Sequence, residues 1–164
     1  MRWALDAASE SGLSPVLLVV GYRGDDVRAA IAPDDRVMVI ENRGWAEGIA
    51  SSLRAALATL IPRDDVEAVC VGLADQPLVG PAAYRLLAAD TASDLTAARY
   101  DGEPGNPVKL ARSLWSQAME LRGDAGARVL MRDRVVTWID CTGTGSAADI
   151  DTLEDLERLQ QEGQ

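Results

Sequence analysis

Short apolar runs alternate with a helical pattern in this chain, and that alternation leaves few architectures open. Pro15–Val20 reads as a buried strand ending at Gly21, and Arg36–Ile40 as a second, ended by Glu41 and Asn42. Glu67–Leu73 is a third and runs into Ala74-Asp75-Gln76-Pro77. Between the second and third, Ile49, Leu53, Ala56, Leu57 and Leu60 recur on one helical face, with Pro62 as the stop. The simplest arrangement is an α/β fold: a mostly parallel sheet with right-handed crossovers and helices on both faces.

The second half is less regular. Asp94–Tyr100 and Pro107–Leu110 are candidate strands flanking the Gly- and Pro-rich Asp101–Asn106, a hairpin-like excursion. Leu114, Ala118 and Leu121 mark a helix. Asp124 is placed to cap the next one, with Ala127, Leu130 and Met131 inward. Arg134–Asp140 reads as a strand and Asp151–Gln161 as a closing helix. The start reads as a helix over Met1–Ser11, with Trp3, Ala4, Ala7 and Ala8 on one side and no strand before it.

Composition narrows the chemistry. The 164 residues suit a single domain over 1–164. Lys and Arg number 16 against 26 Asp and Glu, a net charge of −10, which argues against a nucleic-acid surface. No apolar run approaches the roughly 18 residues of a membrane span, and nothing at the start reads as a signal peptide. A cytoplasmic location is the expectation, and Cys70 and Cys141, both in apolar surroundings, read as buried free thiols. Histidine is absent, so imidazole ligands and imidazole acid–base catalysis are excluded. Lys109 is the only lysine. What remains is carboxylates, hydroxyls, arginines and backbone amides. An acidic protein of this kind can bind polyanions through a divalent cation.

Ligands of open α/β sheets bind beyond the carboxyl ends of strands. Asp75 follows the third apolar run there; it suits a metal ligand, or it simply shares a turn with Pro77. Asp149 and Asp151, at i and i+2, share a face in extended chain, and two such acids from separate strand ends suit Mg²⁺ on a nucleotide. Asp151 with Glu154 also resembles a capping box ahead of Leu153, Leu156 and Leu159. Asn42 through Gly48 lead to Ser51 and Ser52 at a helix start, where free N–H groups admit a phosphate or a flat base, or where the loop merely caps the helix.

Five segments, in order, resemble one family: ENRGWAEGIASSLRAAL (Glu41–Leu57), VGLADQPLV (Val71–Val79), GEPGNPV (Gly102–Val108), GDAGARVLM (Gly123–Met131) and DIDTLEDL (Asp149–Leu156). They resemble the MobA-like nucleotidyltransferases of molybdenum cofactor biosynthesis, especially the cytidylyltransferase branch. The resemblance implies a Rossmann-like nucleotidyltransferase fold with one antiparallel strand. It implies Mg²⁺-dependent transfer of CMP from CTP to a molybdopterin acceptor with release of pyrophosphate. A molybdoenzyme or its chaperone is a further candidate partner. By the same resemblance Asp75 and Asp149 are the catalytic acids and metal ligands, with Asp151 in reserve. Asn42, Gly48, Ser51 and Ser52 lie near the base; Asn106, Gly123, Asp124 and Arg128 lie on the acceptor side. Arg128 would pair with an acceptor phosphate, or is an exposed helix arginine.

The chain departs from that family in two places. The family opens with a strand and a glycine-rich loop of the kind LAAGxSxRMGxxK, and neither precedes Gly12 here. The expectation is an N-terminally truncated domain lacking its first strand, with impaired transfer, since each lost charge-stabilising donor costs about 10²–10³ in rate. A non-catalytic relative that only binds the acceptor or a partner, or an enzyme using another nucleotide or acceptor, is the alternative. The family's Gly-His-Pro is Gly105-Asn106-Pro107 here, and asparagine hydrogen-bonds without titrating.

Overall fold

The computed structural model describes residues 2–31, 34–149, 152 and 155. Its elements are α1 (Arg2–Glu10), β1 (Val16–Val20), α2 (Gly24–Ala30), β2 (Val37–Glu41), α3 (Ile49–Leu60), β3 (Ala68–Val71) and α4 (Pro81–Ala89), then β4 (Leu95–Tyr100), β5 (Glu103–Ala111), α5 (Trp115–Ala118) and β6 (Thr137–Asp140). β1 and β2 pair in parallel, Val16 opposite Val37. The other four strands lie in the order β3-β5-β4-β6. β5 is antiparallel to both β3 and β4, and β6 is parallel to β4, so β5 alone runs against its sheet. This is an α/β fold in which helices pack on sheets whose strands are mostly parallel. The strands form two sheets rather than one.

Two-residue alternation along β4 builds both faces of the larger sheet. Leu95 and Ala97 join Val108 and Leu110 of β5 against Leu53, Leu57 and Leu60 of α3 and Trp115 of α5. Ala98 and Tyr100 point the other way, onto Ala7 of α1 and Ala83, Tyr84 and Leu87 of α4. β3 is split likewise, Val69 and Val71 toward the first cluster and Cys70 toward the second. Both cysteines are free; burial pushes the Cys70 thiol up to about 11, which keeps it protonated and unreactive at neutral pH.

Several sequence expectations shift. The Gly- and Pro-rich Asp101–Asn106 segment is mostly strand: only Asp101 and Gly102 form the turn, both at positive φ (49° and 88°), the left-handed pair of a tight hairpin. The helix expected around Leu114–Leu121 shrinks to α5 after a 3-10 turn at Arg112–Leu114. Asp124 caps nothing: Ala127–Met131 is a 3-10 turn with Gly126 at its N-cap. The strand expected from Arg134 starts at Thr137, and Val135 is fully outside. Ile49 and Trp3, placed on inward faces, are exposed. Helices α2 and α4 were not anticipated. The closing helix over Asp151–Gln161 lies outside the described residues.

Lys109 is buried in β5 and donates to the Asp90 carbonyl just past α4. The Asp90 carboxylate accepts from the Ser93 amide and the Thr96 hydroxyl. Hydrogen bonding from the Ser93 and Thr96 side chains, then from the Ala92 amide, holds it at about 2, below the ordinary 3.8. A depressed folded pKa stabilises above the unfolded value and is lost as pH falls through the folded one. Asp90→Asn is therefore expected to flatten the fall in Tm between about pH 4 and about pH 2. An acid limb identical to wild type in a pH series of thermal melts would contradict this.

Candidate active site

Two loops that leave strand ends are zipped together, and each carries one of the two candidate acids. The loop after β3 carries Asp75; the loop after β6 carries Asp149. Val79 and Gly145 form an isolated antiparallel bridge, and the Ser146 amide donates to the Leu78 carbonyl at 3.0 Å. Glycine is required at this seam. A Cβ on Gly145 would stand 2.0 Å from the Leu78 oxygen, and one on Gly80 2.2 Å from the Thr144 oxygen.

Gln76 closes the arrangement. It is buried, and its Nε2 donates to Asp149 Oδ1 at 2.7 Å and to the Ala147 carbonyl at 3.0 Å. Asp75, its chain neighbour, and Asp149 are both exposed and take part in no ion pair among the described residues. Asn106 is buried behind them, donating from Nδ2 to Gln76 Oε1 at 2.9 Å, while its carbonyl accepts from the Tyr100 hydroxyl at 2.8 Å. Asn106 thus joins the acid pair. No hydrogen bond among the described residues links it to the Gly123–Arg128 segment it was grouped with.

A second knot forms where β2 gives way to α3. The buried Asn42 donates from Nδ2 to Ser51 Oγ at 2.7 Å and to Ser52 Oγ at 3.0 Å, and its Oδ1 accepts from the Gly44 amide at 3.0 Å. Ser51 in turn donates to the Gly48 carbonyl at 2.8 Å. The Asn42 side chain is thus engaged within the chain through both its donors and its oxygen, and it shapes the loop. Gly48 sits at φ 112°, and a Cβ there would lie 2.5 Å from the Gly123 backbone and 2.6 Å from Asp124 Oδ1. The Ala50 amide donates to the Gly123 carbonyl at 3.0 Å. Gly123 and Asp124, expected on the acceptor side, therefore pack directly on the residues expected near the base. Arg128 is exposed on the 3-10 turn. Asp151 lies outside the described residues.

Among the described residues no three His, Cys, Asp or Glu side chains gather as a metal cage. A pair of free carboxylates fits Mg²⁺ all the same, because that ion uses one or two carboxylates and completes its shell with phosphate and water. Two cavities, of about 420 and about 430 Å³, lie elsewhere, one beside Ser93 and Arg134, the other beside Arg2 and Asp34. Gln76 and Tyr100 had no part in the sequence reading. The one available signal was a polar amide beside Asp75 at the end of an apolar run.

Residues 1–138 match the MobA-like NTP transferase domain. The chain is 30% identical over 161 residues to the nicotine blue oxidoreductase of Paenarthrobacter nicotinovorans, covering 90% of this chain and 76% of that one. It is 25% identical over 157 residues to the molybdenum cofactor cytidylyltransferase of Escherichia coli K12, covering 93% and 79%. Among solved structures, Rv0371c from Mycobacterium tuberculosis H37Rv superposes with a TM-score of 0.81 at 31% identity, over 97% of this chain and 82% of that one. A structure of Rv0371c in complex with manganese gives 0.79 at the same 31% identity, over 97% and 84%. No helix among the described residues is long and apolar enough to cross a membrane.

Proposed function

We propose that this chain, which belongs to the MobA-like NTP transferase domain family and is a nucleotidyltransferase, uses CTP as its nucleotide and a molybdopterin-type phosphate as its acceptor. Asp75 and Asp149 hold Mg²⁺ in this reading. The observation that supports it most is the hydrogen bond from Gln76 to Asp149, which ties Asp149 to the chain neighbour of Asp75 across 73 positions. The manganese complex of Rv0371c supports a divalent cation in the family.

An acceptor phosphate oxygen attacks the α-phosphorus in line; that P–O bond forms as the bond to pyrophosphate breaks. A bound Mg²⁺ supplies neutralisation of phosphate charge at this point. The chain's own part is positioning. In this reading the Asn42–Ser51–Ser52 knot fixes the loop that receives the base, and the Gly48–Gly123 contact sets the acceptor segment against it. Asp75 and Asp149 would be the carboxylates that hold the cation. Asn106 cannot carry a proton as a histidine would, so it supports Gln76 rather than exchanging protons.

Calorimetry with CTP, GTP and ATP, with and without Mg²⁺, tests the reading alongside pyrophosphate release in the presence of a molybdopterin acceptor. Mg²⁺-dependent binding that favours CTP, with pyrophosphate released, is the expected result. Acceptor binding without nucleotide binding would replace it with a non-catalytic binder. The name of the Paenarthrobacter relative supplies a further arm, a nicotine blue reduction assay, and turnover there without pyrophosphate release would overturn the transferase reading.

A further inference from the structure

The Gln76 side chain sits between a buried network and an exposed acid. Its two Nε2 protons go to different acceptors, the Ala147 carbonyl and Asp149 Oδ1. Its Oε1 takes the Asn106 amide. The amide has one workable orientation: flipped, its oxygen would face a carbonyl and a carboxylate while its NH₂ met the Asn106 NH₂. Asn106 is anchored in turn through its carbonyl by the Tyr100 hydroxyl, and Tyr100 is in the core cluster under α1 and α4. The chain Tyr100–Asn106–Gln76–Asp149 therefore transmits the rigidity of the core to a single carboxylate oxygen at the surface.

Bonding one carboxylate oxygen to a fixed donor limits where the other can point, and the donor's chain neighbour is Asp75. This is the device by which groups outside a metal's own ligand set orient those ligands. We infer that Gln76 is a positioning residue, aiming Asp149 so that its free oxygen and Asp75 converge on one divalent cation. The inference rests on the reading of Asp75 and Asp149 as a cation site, and it adds what that reading leaves open: why a side chain on an exposed loop would hold a fixed geometry.

The test is Mn²⁺ binding to the nucleotide-free full chain, followed by EPR, with thermal melts in parallel. Gln76→Met keeps the side chain's length and removes its amide; Mn²⁺ affinity is expected to fall about 10-fold. In an Asp149→Ala background the same substitution is expected to change affinity less than about 2-fold, because Gln76 acts through Asp149. Effects that multiply across the two variants would mean a merely structural role and would overturn the inference. Asn106→Ser, which weakens the anchor without touching Gln76, is expected to lower affinity in the same direction by a smaller factor, and it serves if Gln76→Met fails to fold. Wild type that binds Mn²⁺ with Gln76→Met equal to it would sink the positioning role and leave the cation site standing. Wild type that binds no Mn²⁺ would remove the site itself.

Discussion

Asp75→Asn is expected to lower Mg²⁺-dependent CTP binding by about 10²-fold or more, and any pyrophosphate release by about 10²–10³. The first figure follows from a bound: losing a group that only orients a metal ligand costs about 10–100-fold, so losing a ligand itself starts at the top of that range. Asparagine keeps the volume and one oxygen but removes the charge. Asp75 is exposed and makes no ion pair among the described residues, so the substitution leaves no partner stranded. Its Tm should stay within about 1 °C of wild type, as for surface changes away from structural features. A variant that binds CTP and Mg²⁺ as wild type does would show that Asp75 is only a turn residue beside Pro77.

Gly145→Val is the second large effect, and it acts on the fold of the site instead of its charge. Gly145 has φ 137°, a conformation that L side chains rarely adopt, and its Cβ would stand 2.0 Å from the Leu78 oxygen and 2.9 Å from the Gly80 nitrogen. Both obstacles are backbone, so neither can swing aside. Strain and overpacking together should cost about 2–5 kcal/mol. Because Gly145 bridges Val79, the loop bearing Asp75 and the loop bearing Asp149 should part, and cation affinity should fall together with Tm. Gly143→Ala is the control. Its φ is 79°, but nothing lies within 4 Å of its Cβ, so only the left-handed penalty of about 1–2 kcal/mol applies and cation binding should survive. Equal cation affinity in Gly145→Val and wild type would mean that the seam between the loops does not hold the acids together.

The parts of this architecture that the sequence displayed are those where burial imposes a period. α3 matches the apolar recurrence from Ile49 to Leu60 end to end, because Leu53, Leu57 and Leu60 all meet the core. α2 gave no such signal, since GDDVRAA buries none of its residues. α4 was hidden for the opposite reason. PAAYRLLAA is apolar almost throughout, and its turn-forming Pro81 stands at N1, where a missing N–H costs nothing. The extra length of β5 was masked by Pro104 and Gly105, which read as loop but stand opposite Arg99 and Ala98 in the strand. At the site, Asp75 and Asp149 were visible as acids after apolar runs. Gln76 was not, because its worth lies in a contact 73 residues away that no local pattern encodes. Asn106 was visible only as a family position, and its place beside Gln76 rather than beside Gly123 depends on how β5 pairs with β3 and β4.

The central claim is that two acids from opposite halves of the chain share one divalent ion. A Mn²⁺ titration of the wild-type chain, Asp75→Asn, Asp149→Asn and the double variant, read by the loss of the free-ion EPR signal, tests it most directly. The account predicts one site per chain in wild type, the same site weakened about 10²-fold or more in either single variant, and a double variant weakened by less than the product of the two. Two single variants that each keep wild-type affinity, or that each abolish a different site, would contradict it.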